Sequence, residues 1–222
     1  AMAHIRPRLA GATYTSADES GDVHKFTTGL AARAAERGVR FRYGVRIQAL
    51  RAEGGRMTGV EIANEEGGYE TLTADAYVLA LGSFSAALAR QVGVPLDIYP
   101  AKGYSATLPV LDPACAPTVS LTDDEYKLVF SRFGDRLRVA GTAELNGDSL
   151  ALNPVRCQAL VRRTLALFPG VSRPELAQFW AGLRPATPGN VPYIGPSAVR
   201  GLYLNTGHGT LGWTHGCGSG RA

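Results

Sequence analysis

The chain has 222 residues, of which 45% are hydrophobic and 19% charged, and this is enough apolar material for one large domain or two small ones. The net charge of +4 is spread along the sequence without a block of like charges. A nucleic-acid partner is therefore not expected, because such a surface concentrates its basic residues. Weak attraction to an anionic membrane surface stays open.

The three cysteines, Cys115, Cys157 and Cys217, lie far apart and form no C-x-x-C pair. This spacing argues against a zinc or redox motif, so we expect no metal site and reduced thiols. No apolar run reaches the length of a membrane span, and the first residues lack the pattern of a signal peptide. The sequence indicates a cytoplasmic protein.

The first part of the chain predicts a mixed arrangement of helices and strands. Asp22 can cap a helix that ends near Gly38, and Gly54-Gly55 predicts a hairpin. The continuous apolar run 76–81 is typical of a strand buried on both faces, and a helix over 84–92 follows it. Further strands are predicted over 39–43, 45–50, 58–62 and 69–72.

Beyond Pro95 the alternating pattern predicts an antiparallel sheet. Gly134-Asp135 predicts a tight hairpin, and a helix is expected over 155–168. The segment 173–191 is expected to be rich in loops, and 202–205 to be a strand. The predicted strands of the sheet cover 99–108, 118–121, 126–133 and 136–144. The fold class is therefore α/β (α+β), with two interleaved modules.

A glycine motif follows the last predicted strand. Gly207, Gly209 and Gly212 have the G-x-G-x-x-G spacing of a dinucleotide-binding loop and could open a helix. Only ten residues follow Gly212, too few for the βαβ unit of a nucleotide fold. Either the motif does something other than bind a pyrophosphate, or the chain is cut. His208, inside the motif, is expected to pack or to hydrogen-bond and so hold the loop, since no G-x-S-x-G elbow supports a catalytic triad.

Three other places could carry chemistry. Gly82 ends a strand where α/β folds bind ligands, although a plain strand-to-helix turn is an alternative. Arg184 stands among apolar residues, where a substrate carboxylate or an internal acidic residue would offset its desolvation. Tyr104 and Tyr126 are predicted in the sheet, where a buried tyrosine serves packing more often than it contacts a substrate.

Five segments together resemble a known family. They follow one another in the order seen in the small subunits of bacterial D-amino acid dehydrogenases, which belong to the FAD-dependent D-amino acid oxidase and glycine oxidase group. The resemblance covers nearly the whole chain, and the glycine motif is its most specific part. The segments are 21–28, 80–85, 99–105, 180–188 and 204–214.

The resemblance implies a partial FAD-binding Rossmann-like domain, 21–94 with 191–222, interleaved with an antiparallel-sheet substrate-binding domain, 1–20 with 95–190. It implies FAD-dependent oxidation of a D-amino acid, with D-alanine favoured, to a 2-oxo acid and ammonia. The electrons pass to a respiratory acceptor, which implies the cytoplasm or the cytoplasmic face of the bacterial inner membrane.

Residue roles also follow from the resemblance. Arg184 matches the arginine that binds the substrate carboxylate. Tyr126 falls near the strand position of a tyrosine that contacts this carboxylate, and Tyr104 is the second choice for that role. No protein base is required if the amine arrives neutral, so no catalytic residue is assigned. The positions matched to the cofactor are Val45 at the adenine end, Ala80 and Gly82 near the pyrophosphate, and Gly207, His208, Gly209, Thr210, Leu211 and Gly212 at the flavin ring.

One departure from the family is plain in the sequence. The pyrophosphate fingerprint that family members carry near their start is not found here, so we expect this chain alone to bind FAD poorly. Two alternatives remain open at this point: a carboxylate-binding module without redox activity, and a glycine or sarcosine oxidase of the same group. A nicotinamide-linked reductase is disfavoured, because the βαβ unit is missing.

Overall fold

The computed structural model describes residues 4–5, 9–63 and 68–222. The chain forms two compact units, each built from two stretches of sequence. Unit 1 comprises Ala1–Thr27 and Lys102–Leu183, and unit 2 comprises Thr28–Ala101 and Arg184–Ala222. The helix α1 (Val23–Glu36) and the strands β5 (Tyr99–Pro109) and β9 (Gln178–Ala186) run through the boundaries between these stretches.

Unit 1 is organised around a five-stranded sheet with the strand order β6-β7-β8-β5-β9. Its pairs β6–β7, β7–β8 and β5–β8 are antiparallel, as the alternating sequence predicts. The helix α3 begins after Asn153, whose side chain accepts the Val155 and Arg156 N–H groups. The elements not yet bounded are β6 (Leu121–Asp123), β7 (Leu128–Phe133), β8 (Arg136–Glu144) and α3 (Pro154–Leu167).

The core of unit 1 lies between one face of this sheet and α3. Phe130 and Phe168 are fully buried, and their rings meet edge to face with centroids 5.4 Å apart. Leu160 and Val161 of α3 pack into the same cluster as Val139 of β8. Burial of this helix face fixes α3 against the sheet.

Unit 2 contains two three-stranded sheets. The first has the order β1-β2-β3, with a hairpin at Gly54-Gly55, where both glycines have positive φ. The second has the order β10-β11-β4, in which β11 and β4 are parallel. The elements are β1 (Ile47–Glu53), β2 (Arg56–Ala63), β3 (Tyr69–Leu72), β4 (Tyr77–Leu79), α2 (Ser85–Gln91), β10 (Tyr193–Pro196), β11 (Leu202–Thr206) and α4 (Gly212–Arg221).

Several expectations about local structure are confirmed. Asp22 caps α1 by accepting the Lys25 N–H at 3.1 Å, and the β7–β8 hairpin turns at Gly134. The helix predicted over 155–168 is α3, and the strand predicted over 136–144 is β8. The α/β (α+β) fold class is likewise confirmed.

Other expectations were wrong. Residues 39–43 form no strand, because Phe41 and Tyr43 stack on each other at the surface and have no core face to bury. The run 76–81 is not buried on both faces: β4 is short, lies at the edge of its sheet, and leaves Val78 66% exposed.

The segment 173–191 is not mainly a loop, since the strand β9 occupies much of it. The strand was not predicted because it contains a glycine and a proline, which have low strand propensity. Hydrogen bonding beside β5 stabilises it instead. The strand β10 was missed for the same reason, since Gly195 and Pro196 lie within it. The strand predicted over 118–121 instead forms at Leu121–Asp123.

Candidate functional site

The candidate cofactor site in unit 2 is built on two parallel strands. The register Leu202↔Tyr77 and Leu204↔Leu79 brings the carboxyl ends of β11 and β4 to one sheet edge, where α/β folds bind ligands. Thr206, the last residue of β11, donates to the Gly82 carbonyl at 3.1 Å, and its hydroxyl lies 2.9 Å from that of Ser85. The Gly82 turn and the glycine motif therefore lie side by side.

The glycine motif needs glycine for two physical reasons. Gly207 has φ +79°, and a Cβ there would lie 2.9 Å from Thr187 Cγ2 and 3.2 Å from Tyr193 Cδ2. Gly209 has φ +55° and donates its N–H to the Pro185 carbonyl at 3.0 Å. A side chain would be strained at either position, so the backbone itself forms the surface of the loop.

The helix α4 begins at the last glycine of the motif, as expected. Its N-cap residue, Leu211, provides no side-chain hydrogen bond to the first turn. The start of a helix carries a partial positive charge and N–H groups that lack intrahelical partners. Together with the bare glycine backbone, this end of α4 fits a flat cofactor that takes up negative charge.

His208 ties the loop to the far end of α4. Its Nε2 lies 2.9 Å from Ser219 Oγ, and the Asn205 side-chain amide donates to the Ser219 carbonyl at 3.2 Å. Burial, and secondarily the nearby His215, lowers the pKa of His208 and favours its neutral form. These contacts support the interpretation of His208 as a residue that holds the loop.

Arg184 begins the second stretch of unit 2 and is partly buried near the end of β9. Burial lowers the pKa of its guanidinium, which nevertheless stays charged at neutral pH. The next residue, Pro185, accepts the Gly209 N–H, and its ring lies 3.8 Å from a Cβ built on Gly82. The segment that carries Arg184 is therefore bonded directly to the glycine loop.

The two predicted substrate tyrosines lie in different surroundings. Tyr104 is 2% exposed on β5, and its hydroxyl donates to Glu144, which also pairs with Lys102 at 2.8 Å. Tyr126 was expected to be buried in the sheet, and this is wrong. It lies in the turn between β6 and β7, 52% exposed, because β7 begins only at Leu128.

The remaining cofactor candidates lie before β1, after β4 and in the glycine loop. Ala80 follows β4 directly, and Thr210 and Leu211 are exposed in the glycine loop. Val45 is partly buried just before β1. Ala80 also lines an apolar cavity of about 210 Å³ with residues of β1, β2, β4 and β11.

Sequence reasoning missed two residues that support the loop, Thr206 and Pro185. Thr206 precedes the first glycine of the motif, and a hydroxyl at the end of a parallel strand was a usable signal. Pro185 gave none, because its role depends on a contact with a segment more than twenty residues away.

The family described as FAD dependent oxidoreductase (DAO) matches residues 1–222, so the chain belongs to that family. This confirms the family resemblance and FAD as the expected cofactor.

The names of curated relatives are more specific than the description of the family. A D-amino acid dehydrogenase from Dechloromonas aromatica is 59% identical over 99% of this chain and 52% of its own length. One from Paramagnetospirillum magneticum is 53% identical over the whole chain and 51% of its length. The chain thus spans about half the length of the curated relatives it matches.

A solved structure agrees on the fold. Glycine oxidase from Bacillus cereus superposes with a TM-score of 0.72 at 24% identity, covering 88% of this chain and 53% of that one. Within the part of the chain that the structure describes, no helix has the length and apolar character needed to cross a membrane.

Proposed function

We propose that this chain forms part of an FAD-dependent D-amino acid dehydrogenase, which converts a D-amino acid into a 2-oxo acid and ammonia. The observation that carries the proposal is the direct bonding of the Arg184 segment to the glycine loop through Pro185. A cation that suits a carboxylate is thereby fixed beside a loop that suits a flavin. The names of the relatives, at 59% and 53% identity, support the same activity.

Arg184 binds the substrate carboxylate in this proposal. A guanidinium forms two parallel hydrogen bonds to a carboxylate, and partial burial strengthens them by excluding water. Two bonds fix the orientation of the substrate, so the Cα–H is held in one direction, which lowers the entropic part of the barrier. Tyr126 is retained as a second substrate contact, as the resemblance implies, and the residue is 52% exposed.

The cofactor residues proposed are those of the glycine loop and the two strand ends. Gly207, His208, Gly209, Thr210, Leu211 and Gly212 would hold the flavin ring, Ala80 and Gly82 the pyrophosphate, and Val45 the adenine end. When bound there, FAD would supply the acceptor for the hydride that leaves the substrate Cα. The amine nitrogen loses a proton as its double bond to Cα forms, and water then releases ammonia and the 2-oxo acid.

The finer parts of the proposal follow the family. D-alanine is the proposed substrate and a respiratory carrier the proposed electron acceptor. The proposed location is the cytoplasm or, by peripheral attachment, the cytoplasmic face of the bacterial inner membrane. Nucleic acid is not a proposed partner.

A glycine oxidase is the second candidate, favoured by the superposition with the Bacillus cereus enzyme. At 24% identity this likeness concerns the fold alone. The dehydrogenase is preferred, because the relatives that carry that name are 59% and 53% identical to this chain over the aligned residues.

The proposed role of Arg184 is tested in a flavin-loaded protein that has the full length of the relatives. Arg184→Lys keeps the charge but loses the paired hydrogen bonds, so we expect the half-saturation constant for D-alanine to rise about 10- to 100-fold. Arg173→Lys, the same change at an exposed arginine before β9, is the control. An unchanged half-saturation constant in Arg184→Lys would remove Arg184 from the carboxylate site.

A further inference from the structure

The turn that carries Tyr126 is unusually acidic for a place that would receive a carboxylate. Asp123, Asp124 and Glu125 come directly before the tyrosine. Three carboxylates in succession repel the carboxylate group of a substrate unless cations offset them. Tyr126 can therefore bind a substrate carboxylate only if nearby cations offset the charge of these acidic residues.

Arg163 of α3 compensates two of the three carboxylates in part. Its Nε lies 2.5 Å from Asp123 Oδ2, and its Nη2 lies 3.7 Å from Glu125 Oε2. The third acidic residue, Asp124, is paired with Lys127 at 2.6 Å. Asp123 is only 9% exposed as a side chain, so its pair with Arg163 is shielded from solvent, whereas Asp124 and Lys127 are largely exposed.

Arg163 also contacts the tyrosine ring itself. Its guanidinium carbon lies 3.8 Å from the centroid of the Tyr126 ring, within the range of a stacked cation–π contact. The Tyr126 N–H approaches Asp123 Oδ1 at 3.4 Å, so one arginine holds both the ring and the carboxylate beside its backbone. Lys127, the next residue, has φ +54°, an uncommon conformation that the surrounding contacts maintain.

The helix beneath the turn is firmly fixed. On either side of Arg163 along α3, Leu160, Thr164 and Leu167 are buried in the unit 1 core. The backbone that carries Arg163 is therefore fixed. The ion pair with Asp123 then holds the guanidinium against the Tyr126 ring.

We propose that Arg163 is a positioning residue for substrate binding: it offsets part of the negative charge of the acidic turn 123–125 and stacks on Tyr126, so that the phenol can bind a substrate carboxylate. This inference rests on the proposed function of Tyr126. Arg163 contacts no substrate itself.

The test is steady-state and anaerobic reduction kinetics of the flavin-loaded, full-length protein with D-alanine. Arg163→Met removes the charge and the stacking, so we expect the half-saturation constant to rise about tenfold, while the reduction rate at saturation changes less than about threefold. Added salt should lower the raised constant in part, because the repulsion from the exposed Glu125 is then screened. Arg163→Met with Asp123→Asn should recover most of the loss.

Arg162→Met is the matched control. It changes the net charge equally on the adjacent, exposed residue of α3, and wild-type kinetics are expected. Arg163→Lys keeps the charge and loses the planar stacking, so it should give a smaller rise that salt does not reverse. It also serves as the test if Arg163→Met does not fold.

The outcomes separate this inference from the function on which it rests. If Tyr126→Phe raises the half-saturation constant but Arg163→Met and Arg163→Lys behave like Arg162→Met, the inference is overturned. If Arg184→Lys raises the half-saturation constant but Tyr126→Phe and the Arg163 variants leave it unchanged, both the tyrosine contact and this inference are wrong. If Arg184→Lys also leaves it unchanged, the proposed function itself fails.

Discussion

Gly207 shows at the scale of one residue how the glycine loop is specified. Its positive φ would strain any side chain, and Thr187 and Tyr193 occupy the space that a Cβ would take. Conformation and space are thus restricted at the same residue. The two neighbours belong to the segment that follows Arg184, so this glycine also lets the loop lie against that segment.

Gly207→Ala should therefore destabilise unit 2 by about 2 kcal/mol or more, the sum of a left-handed alanine and a forced displacement of its neighbours. Gly216→Ala is the control, since Gly216 lies within α4 and has no atom within 4 Å of an added Cβ. This control should gain about 0.5–1 kcal/mol, because alanine favours the helix. Urea unfolding measures both, and a Gly207→Ala protein as stable as the wild type would contradict the assigned loop geometry.

At the scale of elements, a bulge in the pair β5–β8 brings Lys102 and Glu144 together. Lys102 pairs with Glu144 and Tyr104 with Gly141, so one residue of β5 opposes two of β8 and the ladder bulges. Thr142, within the bulge, has φ +57°. The bulge places the Glu144 carboxylate next to the Lys102 amine, which is 1% exposed and also donates to the Ala151 carbonyl at 2.9 Å.

This cluster predicts a pH dependence of stability. The hydrogen bond from Lys102, followed by that from Tyr104, lowers the pKa of Glu144 below its usual 4.5. The stabilisation is therefore present above pH 4.5 and is lost as the pH falls through the lower folded-state pKa. Glu144→Gln should lower the urea midpoint at pH 7 and weaken its fall in acid, whereas exposed Glu175→Gln should do neither. A Glu144→Gln protein with the wild-type acid profile would contradict the ion pair.

The elements also show what the sequence can and cannot predict. The strand β8 and the helix α3 were predictable, because alternation, a capping Asn153 and a Gly134 turn all act locally. The strand β9 was not, since its stability comes from pairing beside β5 rather than from its own glycine and proline. Tyr126 was placed in a strand because an apolar run begins two residues after it, at Leu128. The turn is instead held by Arg163, forty residues from Asp123 along the chain.

The same distinction holds for the candidate site. The glycines and Arg184 stand out in the sequence, because residue type and spacing restrict what they can do. Their supports do not: Pro185 and Thr206 act through contacts across the fold. Residue roles at the cofactor and substrate sites therefore stay predictions, which the variants above test one by one.

At the scale of the whole molecule, the chain forms two units, and each draws on two separated stretches of sequence. The glycine loop and Arg184 belong to unit 2, and the acidic turn with Tyr126 to unit 1. The assignment of FAD binding to one unit and substrate binding to the other stays a prediction. Membership of the family identifies FAD as the cofactor. The central claim is that a D-amino acid reduces this FAD.

Anaerobic reduction of the flavin in the full-length, flavin-loaded protein tests that claim most directly. D-alanine should bleach the flavin absorbance in the absence of air, and L-alanine at the same concentration should not. Because the reduced flavin cannot pass its electrons to oxygen under these conditions, the absorbance change reports substrate oxidation alone. A flavin that D-amino acids never bleach, or that L-alanine reduces as readily as D-alanine, would contradict the account.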